Sequence, residues 1–282
     1  NIYFINGIKN VYVLILYMLS KLRFFDVSLR DGLQSLKTCY TLNDKKNMLD
    51  HIIQTYNPRD IEVGSLVSSK ILPQMSGSIE LYNYARNNYP NHNFYLLVPN
   101  YKYFSMATKC YDVKNFSFIT SVSEAFQMKN TNKSINETNM ELIKIVNELD
   151  DTNKSKLYVS CIAECPITKK QNMERLIHQV NNNLHHKMDN ICLSDTCGTL
   201  KFNDFKLIYE SLDSKLREKV SLHLHNPENP DLPSIIQYAL NNRINTMDVC
   251  FKEMGGCSVT IDEDRLLSNL TYSCFDNLAK KS

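Results

Sequence analysis

Two histidines one residue apart, His223-Leu224-His225, are the strongest chemical signal in this chain. In a β-strand, residues two apart point to the same face, so both imidazoles can project together and share one cation. The run from Val220 is largely apolar and gives way to Asn226-Pro227, which puts the pair where a strand leaves its sheet. That position favours a metal over two separately satisfied imidazoles. Asp31 is the natural third ligand, since carboxylate oxygen with imidazole nitrogen suits Mg, Mn, Zn or Co in an open octahedral site. Taken alone, Arg30-Asp31 could be a surface ion pair. What sets it apart is the string from Phe25 to Gln34, FDVSLRDGLQ, in which a strand runs straight into a polar turn.

These residues need a scaffold that gathers them. From Leu22 onward, short β-branched or aromatic runs alternate with longer stretches whose apolar residues recur at three- and four-residue steps. The strand runs are 22–27, 60–64, 94–98, 116–121, 157–161, 191–194, 220–225 and 244–250, and helical patterns cover 43–56, 136–149, 171–184, 202–212 and 231–241. Eight strand-then-helix units in this length predict a single-domain α/β fold, the (β/α)8 TIM barrel. A doubly wound sheet is disfavoured, because no Gly-x-Gly-x-x-Gly follows any strand and the chain holds only seven glycines. A barrel demands that reactive side chains stand at the carboxyl ends of its strands. Arg30 and Asp31 follow the first run, Glu62 lies in the second, Asp195 ends the sixth, His223 and His225 end the seventh, and Cys257 follows the eighth.

Composition narrows the partners. At 282 residues and 43% hydrophobic the chain can bury a large core, and 32 Lys and Arg against 30 Asp and Glu leave a net charge of +2. That balance argues against nucleic acid, which calls for a dense basic surface. Nine cysteines without Cys-x-x-Cys pairs read as reduced thiols of an intracellular protein, cytoplasmic by default, although Cys161 with Cys165 and Cys192 with Cys197 fall where they could meet. The apolar run 11–19 is too short to span a bilayer, so no membrane partner is expected. Residues 1–21 read as an extension, with Met18 the favoured start. No Arg precedes Arg23, which disfavours a mitochondrial address without removing it.

The string around Arg30-Asp31-Gly32-Leu33-Gln34 resembles the opening turn of the DRE-TIM metallolyases. Further collinear segments are similar to one branch, the 3-hydroxy-3-methylglutaryl-CoA lyases. They include Val67-Ser68-Ser69-Lys70 with Pro73-Gln74-Met75, Ser123-Glu124-Ala125-Phe126, and Tyr158-Val159-Ser160-Cys161 with Cys165-Pro166. Leu193-Ser194-Asp195-Thr196 with Gly198, and Gly255-Gly256-Cys257, complete the set. The likeness runs in order from about Arg23 to Asp264.

The resemblance implies a divalent cation, Mg or Mn, on Asp31, His223 and His225. It also implies an acyl-CoA substrate cleaved to acetyl-CoA and acetoacetate, and leaves a homodimer open. The cation would act as a Lewis acid on substrate oxygens. The proton acceptor would be His223 or Asp195, Arg30 would stabilise charge on the thioester oxygen, Cys257 would protonate the product carbanion, Glu62 would hold Arg30 in place, and Gln34 would line the site. In the family, the Gly-Gly-Cys loop runs through a Gly- and Ala-rich stretch to an Asn that also binds the metal. Here Ser258-Val259-Thr260-Ile261 and then Asp262-Glu263-Asp264 follow Cys257, so the expectation is a shorter, stiffer loop that lacks this Asn, with Asp262 or Thr260 in its stead. Two other functions follow from such a loss: a barrel that binds metal or a CoA ester without turnover, and an aldolase or condensing enzyme on the same metal site.

Overall fold

The computed structural model describes residues 22–170, 172–256 and 267–281. The expected extension at residues 1–21, its Met18 start, and Cys257 lie outside the described residues. Eight parallel strands close into a barrel in sequence order: β1 Arg23–Asp26, β2 Asp60–Ser65, β3 Asn93–Leu97, β4 Asn115–Ser121, β5 Lys154–Ser160, β6 Asn190–Ser194, β7 Val220–His223 and β8 Thr246–Val249. β8 pairs with β1 from Arg23↔Thr246 to Asp26↔Val249, which closes the cylinder. Every strand run read from the sequence is found. The largest shift is at β5, which begins at Lys154 rather than Leu157. Its polar start is accommodated because the Ser155 hydroxyl bonds Asp189 at 2.8 Å and Lys156 bonds Asp248 at 2.5 Å inside the barrel.

Alternation along each strand divides the work. In β4, Phe116 and Phe118 turn outward onto Phe104 of the helix Tyr101–Tyr111, with ring centroids 5.0 and 6.3 Å apart. Each such buried side chain contributes roughly 1.5–3 kcal/mol of hydrophobic stabilisation. Local signals set the helix starts: Thr41 and Asp44 form a reciprocal capping box at the helix Leu42–Tyr56, and Ser134 with Glu137 does the same at Ile135–Val146. No helix among the described residues is long and apolar enough to cross a membrane.

One buried group ties stability to pH. Burial pushes the His185 imidazole down to about 4, against a backbone bond from Nδ1 to the Val180 carbonyl at 2.9 Å, and its Nε2 is buried without a partner. Between about pH 4 and 6.5 the unfolded chain therefore binds more protons here than the native one, so stability falls as pH drops through that window. The loss amounts to roughly 3 kcal/mol at 1.36 kcal/mol per pH unit. Urea midpoints measured at pH 7.5 and pH 4.5 should differ less in His185→Gln than in the wild type.

Candidate active site

The chain leaves β1 through a single π-helical turn, Ser28–Gly32, that places Arg30 and Asp31 side by side, both buried, at the carboxyl mouth. Arg30 is held from two directions. Its Nη1 donates to Asp31 Oδ1 at 2.6 Å, and its Nε donates to Glu62 Oε2 from β2. The Tyr158 hydroxyl of β5 donates to the same Glu62 oxygen at 3.2 Å, and its ring lies 5.1 Å from the guanidinium carbon. Burial would lower the Arg30 pKa, but Glu62 and then Asp31 outweigh it and hold the guanidinium well above its usual range.

The histidines meet this cluster from the opposite wall. His223 ends β7, and His225, just beyond it, forms an isolated antiparallel bridge with Asn269. Both Nε2 atoms lie 3.8 Å from Asp31 Oδ2, too far for a hydrogen bond. One ligand atom from each of the three residues lies within 4.8 Å of the others. The 3.8 Å separations suit a shared ion, since ligands at about 2.1 Å around an octahedral cation stand about 3 to 4 Å apart. His225 Nδ1 donates to the Asp195 carbonyl at 2.8 Å, which turns Nε2 inward, where it is buried and unpartnered. Burial would raise the Asp31 carboxyl, but the Arg30 charge and the imidazoles outweigh it and keep it well below the usual carboxylate range.

Asn269 corrects the expectation of a missing asparagine. Its Nδ2 donates to Asp31 Oδ2 at 2.7 Å and to the Met254 carbonyl at 3.1 Å, while its Oδ1 is buried without a partner. The acidic run 262–264 disguises the position, and the only sequence signal is a polar residue inside Leu267-Ser268-Asn269-Leu270. The chain returns to the mouth there through Asn226 N to Ser268 O at 3.0 Å and Asn269 N to Met254 O at 3.0 Å. Gly255 makes this return possible. Its φ is +109°, and an added Cβ would fall 1.8 Å from Asn269 Nδ2 and 2.9 Å from Asp31 Oδ2. Gly255→Ala should therefore displace Asn269 and weaken divalent-cation binding at least tenfold by analogy with loss of a metal site's supporting contacts, measured by titration of the folded variant.

Asp195, one of the two expected proton acceptors, turns its carboxylate toward its own loop. Its carboxylate accepts from the backbone N–H of Thr199 at 3.2 Å and of Leu200 at 2.9 Å, bracing the loop after β6. The group on His223 Nδ1 is Asp248 of β8, at 3.1 Å, an acidic residue inside a strand with no local signal of its own. Gln34, Arg30 and both histidines line a cavity of about 250 Å³ whose other wall is apolar, with Val67, Leu72, Leu97, Ile119 and Phe126. Among the cysteines, Cys165 sits against Cys161 and accepts from the Ser123 hydroxyl at 3.0 Å. Cys192 and Cys197 do not pair, since Cys192 faces Asp248 and Cys197 faces the Glu164 carbonyl.

Fold and site together define a closed (β/α)8 barrel with a buried carboxylate and two imidazoles converging at its mouth. Residues 21–230 match the HMGL-like family model, and the chain belongs to that family. It is 29% identical over 242 residues, 84% of this chain and 78% of the relative, to a 3-hydroxy-3-isohexenylglutaryl-CoA/hydroxy-methylglutaryl-CoA lyase of Pseudomonas aeruginosa. To the cytoplasmic 3-hydroxy-3-methylglutaryl-CoA lyase of Mus musculus it is 29% identical over 240 residues, 83% of this chain and 68% of the relative. The crystal structure of hydroxymethylglutaryl-CoA lyase from Pseudomonas aeruginosa superposes with a TM-score of 0.80 at 26% identity, covering 92% of this chain and 85% of that one.

Proposed function

We propose that this protein is a divalent-metal-dependent lyase that cleaves 3-hydroxy-3-methylglutaryl-CoA, or a close 3-hydroxyacyl-CoA, to acetyl-CoA and acetoacetate. The observation that carries this reading is the convergence of donor atoms beside Arg30. His225 Nε2 is buried with no hydrogen-bond partner, both it and His223 Nε2 stand 3.8 Å from Asp31 Oδ2, beyond hydrogen-bond distance, and the adjoining Asn269 has its Oδ1 buried without a partner. An orphaned buried polar atom is costly, and a cation satisfies several at once. Asp31, His223, His225 and Asn269 would hold Mg or Mn, both of which favour oxygen and imidazole donors. When bound, the cation supplies Lewis-acid polarisation of the substrate oxygens.

The chain's own residues divide the remaining tasks. Arg30, fixed by Glu62 and Tyr158, presents a guanidinium where charge develops on the thioester oxygen as the carbon–carbon bond breaks. The C3 hydroxyl passes its proton to the acceptor expected from the family resemblance, His223 or Asp195, and C3 becomes the ketone carbon of acetoacetate. Cleavage leaves a carbanion on the acetyl-CoA fragment that must gain a proton. The family resemblance assigns that donation to Cys257, the residue that follows Gly256, whose N–H donates to Asp31 Oδ2 at 3.3 Å. The apolar wall of the cavity faces the alkyl part of the substrate, so the panel to test includes 3-alkyl groups longer than methyl, as the name of the Pseudomonas aeruginosa relative suggests. The test is product analysis with Mg or Mn present. Equimolar acetyl-CoA and acetoacetate from 3-hydroxy-3-methylglutaryl-CoA are expected, and an intact panel after prolonged incubation would overturn the reading.

A further inference from the structure

Lys156 stands inside the barrel on β5, nearly inaccessible to solvent at 1% exposure, and no substrate role has been given to it above. Its Nζ donates to Asp248 Oδ1 at 2.5 Å, and the other oxygen of that carboxylate lies 3.1 Å from His223 Nδ1. The ammonium is further enclosed by aromatic faces, 3.4 Å from the Phe25 ring centroid and 4.7 Å from that of Tyr158. Three strands thus contribute one continuous chain of contacts, Lys156 on β5, Asp248 on β8 and His223 on β7. It runs from the barrel interior to the mouth.

We propose that Lys156 is a positioning residue: by anchoring the Asp248 carboxylate it holds the His223 ring with Nδ1–H toward Asp248 and the Nε2 lone pair toward the point shared by Asp31 and His225. The inference rests on the reading above that a cation binds at that point.

The two histidines are oriented by different kinds of partner. His225 is oriented by a backbone carbonyl, that of Asp195, which the strand fixes and which needs no counter-charge. His223 is oriented by a carboxylate buried at 2% exposure. A buried carboxylate stays ionised and in one rotamer only if a cation and hydrogen bonds satisfy it. Lys156 is the only Lys or Arg ion-paired to Asp248 among the described residues. Because an ionised carboxylate only accepts hydrogen bonds, it permits one neutral tautomer of His223, the one whose Nε2 is free to bind a metal. Without Lys156, both the rotamer of Asp248 and the tautomer of His223 lose their constraint.

The test titrates Mn into the full-length protein without substrate, reading free Mn by electron paramagnetic resonance, for wild type, Lys156→Met and Lys156→Arg. Lys156→Met should weaken Mn binding 10- to 100-fold, the size of effect that supporting contacts have on metal sites, and Lys156→Arg should restore most of it. The Mn concentration giving half-maximal lyase rate should rise by the same factor in Lys156→Met, a shift that a general loss of stability does not produce. Should Lys156→Met fail to fold, nitrogen NMR of the wild-type histidines decides instead, with His223 assigned by loss of its signal in His223→Gln. A proton on Nδ1 and none on Nε2 supports the proposal, and the opposite tautomer overturns it. Wild-type binding with an equal affinity in Lys156→Met overturns this inference alone. No Mn binding by the wild type overturns it together with the metal reading on which it rests.

Discussion

Replacing Arg30 with Met is expected to lower kcat for carbon–carbon bond cleavage by about 10²–10³, the usual cost of removing a preorganised donor from a developing oxyanion. The guanidinium is preorganised in a strict sense, since Glu62, Asp31 and the Tyr158 ring fix it before substrate arrives. Arg30→Lys should recover little. A single ammonium cannot satisfy Glu62 and Asp31 together while also facing the substrate, because the planar fork that does so is lost. The same variants leave two buried carboxylates short of a partner, which costs about 3–5 kcal/mol of stability. Thermal melts must therefore accompany the kinetics, and kcat is compared on the folded fraction. A loss in kcat below about fivefold in folded Arg30→Met would remove Arg30 from the charge-stabilising role assigned by analogy with oxyanion donors.

Asp31→Asn should have the larger effect on metal. Asp31 is the hub of the cluster: one oxygen takes Arg30, while the other takes Asn269 and the Gly256 N–H and faces both imidazoles. A neutral amide removes the only carboxylate in the group that faces the shared point. If the cation contributes several kcal/mol to the transition state, the rate should fall by about 10³ or more. Mn affinity should fall in parallel, and excess Mn should not restore the rate of the wild type. Folding should survive better than in Arg30→Met, because Arg30 keeps its bond to Glu62. Acetoacetate release and Mn titration of the same preparation check both halves, and tight Mn binding by Asp31→Asn would remove this residue from the metal site.

The parts of the site legible in the sequence are those that sit at strand ends and carry their own local pattern. His223 and His225 announce themselves by strand spacing, and Arg30-Asp31 by the abrupt change from an apolar run to a turn. The eight strands were readable because parallel barrel strands are buried on both faces and form compact apolar runs. Asn269 was not legible, since it reaches the mouth only through a chain return made by backbone bonds and the open conformation of Gly255. Asp248 and Lys156 were hidden for another reason. Each lies within a strand, 92 residues apart in sequence, and only barrel closure brings them into contact. Asp195 shows another side of this, a residue at the right strand end whose carboxylate accepts from the backbone of its own loop. Position at a strand end names candidates, but the direction of each side chain is set by partners distant in sequence.

The most direct measurement is the initial rate of acetoacetate release from 3-hydroxy-3-methylglutaryl-CoA as a function of Mn concentration, starting from chelator-treated protein, for wild type and His225→Ala side by side. Saturable activation of the wild type from a negligible metal-free rate, with His225→Ala inactive across the same range, is the expected result. A wild-type rate that is undiminished in excess chelator, or a His225→Ala curve that overlays the wild type, would contradict a cation held by Asp31, His223 and His225.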